Sequence, residues 1–151
     1  MLLQTGRPVL AALFLSAMPA SAQPVLQILS QNMDVIDTLP LPEGEEICLR
    51  WNHSVTGGAV ADCFENRAGQ FLLTRSYLHD YAAGLGEVPG RGDVRAAPAG
   101  HGYWIEGMDD PIPENTLPLR TGGPAVGHHL RKGESVIALP PRARLSLRLI
   151  P

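Results

Sequence analysis

Over residues 143–150, Leu145, Leu147 and Leu149 alternate with Arg144, Ser146 and Arg148. A period of two puts one set on one face of a strand and the other set on the opposite face. The same alternation recurs upstream. Ile47, Leu49 and Trp51 interleave with Cys48, Arg50 and Asn52, and Val60 and Phe64 with Ala59, Ala61, Cys63 and Glu65. Further strands are predicted over 25–30, 33–38, 70–78, 102–108, 116–121, 125–130 and 135–139, with a proline-bearing loop at 39–45. Turn chemistry separates them, as at Thr56-Gly57-Gly58 and over 66–69. Sixteen glycines and fourteen prolines leave no room for long helices. About nine short strands without a helical spacer predict an all-β single domain, an antiparallel β-sandwich or partly open barrel.

The N-terminus breaks this pattern. Arg7 precedes an apolar run over 9–18 that only Ser16 interrupts, and Ala20-Ser21-Ala22 supplies small residues at −3 and −1. That order predicts a cleaved signal peptide, 1–22, ahead of one domain, 23–151. The run is too short to span a bilayer, and no cysteine follows it to take a lipid anchor. A periplasmic or secreted protein with no stable membrane insertion after cleavage is expected.

Charge narrows the partners. Twelve basic residues against fifteen acidic ones give a formal charge of −3, which argues against nucleic acid and anionic membrane surfaces. Arg142, Arg144 and Arg148 form the only basic cluster visible along the chain and read as a solvated strand face.

Cys48 and Cys63 both fall on the phase opposite the apolar set. A four-residue loop over 54–57 would set them across from each other, and an oxidising compartment would favour a disulfide. On the chain-entropy account it would stabilise the fold by about 3 kcal/mol. Two free thiols with the register one pair off are the alternative.

Candidate chemistry centres on the hairpin Trp51-Asn52-His53-Ser54-Val55-Thr56-Gly57-Gly58. His53 and Ser54 are neighbours on a strand and point to opposite faces, so they cannot form a base and nucleophile pair. Ser54 is expected to bond turn amides. Asp62 can share a face with His53, which leaves a small hydrolase using His53 and Asp62 as one reading. Downstream, Tyr81-Ala82-Ala83-Gly84-Leu85-Gly86 is a small-residue loop. His53, Ser54, Asp62, Tyr81 and Gly84 are the candidate ligand or partner contacts. His53, His79, His101, His128 and His129 lack convergent metal-ligand spacing, so no metal and no cofactor is expected. Gly84-Leu85-Gly86 followed by Gly90 has the wrong spacing for a phosphate loop, and Arg91-Gly92-Asp93 is assigned to a loop. Of Tyr103 and Trp104, one must face outward if both lie on a strand.

The stretches Leu49-Arg50-Trp51-Asn52-His53-Ser54-Val55, Val60-Ala61-Asp62-Cys63-Phe64 and 77–85 resemble the domain-of-unknown-function 1850 family. The likeness continues through Gly102-Tyr103-Trp104-Ile105-Glu106-Gly107 and Leu117-Pro118-Leu119-Arg120 to His129-Leu130. The chain departs from the family pattern at Ala61-Asp62, where a glutamate is usual. It departs again at Asp80-Tyr81-Ala82-Ala83-Gly84-Leu85-Gly86, which lacks a glycine and a proline of the usual loop. The resemblance implies small exported proteins encoded beside TAXI-type TRAP transporters, with no established activity. The expected function is therefore a non-enzymatic accessory or binding protein of a TRAP-type solute uptake system, contacting a transporter component or a small organic acid. The small hydrolase and a purely structural envelope protein are the alternatives.

Overall fold

In the computed structural model, residues 22–80, 90–98 and 100–151 are described. The period-two segments become strands: β1 Val25–Leu29, β2 Val35–Pro40, β3 Glu46–Asn52, β4 Ala59–Arg67, β5 Gln70–Leu78 and β6 Asp93–Ala96. They continue as β7 Tyr103–Pro111, β8 Thr116–Arg120, β9 His129–Lys132, β10 Ser135–Ala138 and β11 Arg144–Ile150. The described residues contain no α-helix, only a 3-10 turn at Pro113–Asn115. One sheet orders its strands β2-β1-β11-β8 and the other β10-β9-β3-β4-β5-β7-β6, with antiparallel neighbours throughout. The chain is an all-β sandwich.

Among the described residues, eleven strands replace the nine or so expected. The additional β6 carries no alternation because it is an edge strand exposed on both faces. It begins at Asp93, so the Arg91-Gly92-Asp93 tripeptide is only partly loop. β2 runs through to Pro40, inside the segment read as a loop. Proline is tolerated there because β2 is also an edge, where a missing N–H costs no ladder bond. β9 starts only at His129, since a turn closed by the Val126 N–H on Gly123 O occupies the residues before it. All but Ala22 of the expected signal peptide over 1–22, together with Tyr81 and Gly84, lies outside the described residues.

The alternating leucines account for the sandwich. Leu26 and Ile28 of β1 and Leu145, Leu147 and Leu149 of β11 meet Ile47, Leu49, Phe64, Phe71 and Leu130 of the larger sheet. The Phe64 and Phe71 rings stack with centroids 4.9 Å apart. Between them the β4–β5 hairpin turns on Ala68 and Gly69, both at positive φ (52° and 77°), the backbone a two-residue hairpin loop requires. Asn66, 1% exposed, braces this turn. Its Nδ2 donates to Leu41 O at 2.8 Å and its Oδ1 accepts the Gly69 N–H at 3.1 Å. Asn66→Ala should cost about 1–3 kcal/mol in a urea melt, because the Leu41 carbonyl would be left buried without a donor.

Candidate ligand-binding face

The β3–β4 hairpin closes as its sequence requires. Asn52 pairs with Ala59, and the His53 N–H reaches Gly58 O at 2.7 Å, so 54–57 forms the loop. His53 Nδ1 accepts the N–H groups of Val55 (3.3 Å) and Thr56 (3.2 Å), so its imidazole caps the turn and carries its neutral-form proton on Nε2. Thr56 Oγ1 accepts the Gly58 N–H at 3.2 Å. The turn amides assigned to Ser54 are thus taken by His53 and Thr56, and Ser54 is exposed.

Asp62 lies elsewhere. It faces Leu49 and Ser76, and Ser76 Oγ donates to its Oδ1 at 2.6 Å. His53 stands four residues beyond Leu49, about 13 Å along the strand at 3.3 Å per residue. Proton transfer needs direct or one-water contact, and the structure does not bring this pair together. Burial pushes the Asp62 carboxyl above its ordinary 3.8, against the pull of Ser76 and of the Arg91 charge. A raised carboxyl holds its proton more tightly in the folded state. The stability it contributes is complete below the unfolded value and is lost as pH rises through the folded value. Asp62→Asn keeps an acceptor for Ser76 and removes the buried charge. The variant is expected to be more stable than the parent at pH 7 and equal to it near pH 3. Urea melts at both values check this, and an unchanged difference would rule burial out as the cause.

The opposite face of the larger sheet carries the polar halves of the same strands. One row across it runs Arg131, Cys48, Cys63, Arg75 and Glu106, and the next runs His129, Arg50, Ala61, Tyr77 and Trp104. Cys48 and Cys63 are directly paired, with Cα atoms 4.0 Å apart, and form the disulfide. Both point away from the core as their phase requires, but Cys63 is fully buried (0%) rather than exposed. The cause is an ion pair that crosses over β4. Arg75 of β5 donates Nε and Nη2 to Glu46 of β3 at 2.9 and 2.6 Å, and its guanidinium lies 4.4 Å above the Trp104 ring. Both partners are about a third exposed, so the pair contributes no more than about 1 kcal/mol. Its consequence is geometric, because it holds Trp104 and Arg75 in one orientation.

Beside this bridge lies a cleft of about 260 Å³ lined by Glu46, Cys48, Arg50, Arg75, Trp104 and Arg131. Low side chains, Ala61 and the disulfide, lie between taller cationic and aromatic ones. Arg131 uses Nε on Gly133 O at 3.1 Å. Among the described residues, neither Arg50 nor Arg131 meets a carboxylate. The grouping of Glu46, Cys48 and Cys63 has the proximity of a metal site, but both sulfurs are committed to each other. Tyr103 is buried and Trp104 faces outward. Tyr77 extends the face, its ring tilted against Trp104 at 5.3 Å and its hydroxyl donating to His101 O at 3.0 Å.

Of the residues singled out in the sequence, the cleft uses Cys48 and Trp104. Arg50, Arg75 and Arg131 went unnoticed because they sit on three strands far apart in the chain. The available signal was the polar phase of β3: once Cys48 and Cys63 are paired, Arg50 must stand beside the disulfide on the same face.

Fold and site together define a disulfide-stapled β-sandwich domain with a cationic, aromatic cleft on its larger sheet. The chain belongs to the family described as a domain of unknown function, DUF1850, whose model matches residues 47–139. No curated protein and no solved structure matches it.

Proposed function

We propose that the protein is a non-enzymatic binding protein of the periplasm or extracellular space, an accessory to a TRAP-type (TAXI) solute uptake system. It holds a small organic acid in the cleft between Arg50, Arg131 and Trp104. The observation that carries this reading is that, among the described residues, Arg50 and Arg131 meet no carboxylate, on a rigid sheet in a chain whose net charge is −3. Guanidinium forks match carboxylate geometry, and an aromatic edge gives the carbon skeleton a surface to pack on. The leader-like N-terminus and the family resemblance support export and the transport setting. The disulfide suits an oxidising compartment.

Titration calorimetry of residues 23–151 against a panel of mono- and dicarboxylic acids tests it. A binder in the panel should weaken about a hundredfold in the Arg50→Gln/Arg131→Gln double variant, on about 1.5 kcal/mol for each charge-assisted contact. The cleft assignment fails if the double variant binds as the parent does, and the reading fails if no acid binds.

A further inference from the structure

A second cluster of cations, on the smaller sheet, has no part in that reading. Arg120 and Arg144 stand directly opposite each other across β8 and β11. Like charges in that relation destabilise a sheet. Arg142, two residues before Arg144, sits at φ 53°, a left-handed backbone uncommon for a residue with a Cβ. Its N–H is fixed on Gly122 O at 2.8 Å. The three arginines border one cleft of about 320 Å³ with Thr121, Gly122 and Gly123. No carboxylate lines it, and among the described residues none of the three has an ion-pair partner. Thr121 turns its hydroxyl inward to Pro140 O at 2.6 Å, so the lining is cationic side chain and glycine main chain, with the Gly122 N–H donating to His128 Nδ1 at 3.2 Å. A Cβ on Gly123 would lie 3.8 Å from the Arg142 guanidinium, so the main chain there is open to close approach. Opposed like charges and a left-handed arginine both work against the fold, and a shared anion would offset both.

Gly122 and Gly123 also border a cleft of about 430 Å³, lined by His128 and His129 and by an apolar wall of Pro124, Val136, Ala138, Leu139 and Pro141. Val136 is 59% exposed there. We propose that the two clefts form one site for a phosphate-type oxyanion carried on an apolar chain, the oxyanion on Arg120, Arg142 and Arg144 and the chain along Val136 and Leu139. Three guanidinium forks suit a dianion with several acceptor oxygens better than a single carboxylate. The site is distinct from the Arg50 cleft and stands or falls separately.

The test is titration calorimetry of residues 23–151 at low salt with inorganic phosphate and with octyl phosphate, on the parent chain, Arg142→Gly and Arg120→Gln. Octyl phosphate should bind at least tenfold tighter than inorganic phosphate. Arg142→Gly should lose at least tenfold of that affinity while melting no lower than the parent, because glycine accepts the left-handed backbone freely. Arg120→Gln should also bind more weakly and lose no stability. Absence of octyl phosphate binding, equal affinity for the two phosphates, or undiminished binding by Arg142→Gly would each overturn the proposal.

Discussion

Phe64→Ala is expected to cost about 3–5 kcal/mol, the range for deleting a buried aromatic ring when its surroundings cannot collapse. Phe64 is 2% exposed, stacks on Phe71 and stands in register with Ile47 on one side and Leu73 on the other. It also adjoins the bulge where β4 and β5 change register, between Cys63 and Phe64. Backbone on both flanks is held by ladder bonds, so a cavity would persist. A domain of this size has about 5–15 kcal/mol of total stability, and the variant should therefore be close to unfolding at 37 °C. Guanidinium melts give the number, with the midpoint falling and the slope unchanged. A loss below about 1 kcal/mol would mean that the two sheets close over the gap.

Replacing both cysteines by alanine is expected to cost about 3 kcal/mol and to lower the melting temperature by roughly 10 °C. The bond closes a loop of sequence separation 15, and its effect acts mainly on the unfolded chain. The burial of Cys63 adds a kinetic expectation. Reductant should act more slowly on the native protein than in urea, because Cys63 is buried and only the Cys48 side of the bond borders the cleft. Melts of the double variant and of the parent, with and without reductant, separate the two contributions. A shift under about 2 °C would show that the β3–β4 register is held by the ladder and the loop alone.

Period two was enough to read the class and most strands, because each interior strand buries one face and leaves the other polar. β11 is the clearest case. The edges were harder. β2 and β6 are exposed almost throughout, so no apolar phase marks where they begin or end. The disulfide was legible because both partners share one hairpin, where loop length fixes register. The His53 pairing with Asp62 was read from face parity alone. Parity gives the side of a sheet but not the distance along it, and the register places Asp62 opposite Leu49. The arginine cleft needs β9 laid against β3 and β7 against β5, pairings that no local pattern announces.

The placement of β11 bears on how the chain can fold. It is an inner strand of the smaller sheet, flanked by β1 and β8, and Leu26 pairs with Leu149 across almost the whole described chain. Contacts between residues so distant close slowly, because a large loop must be ordered before any apolar burial repays it. During synthesis the β1–β2 hairpin and β8 must wait, with the apolar faces of Leu26 and Ile28 uncovered, until β11 emerges. The larger sheet, built mostly from neighbours in sequence, can form beforehand as a half-sandwich. β11 then acts as the closing strand, and a chain stopped before Arg144 is expected to stay open, sticky and short-lived.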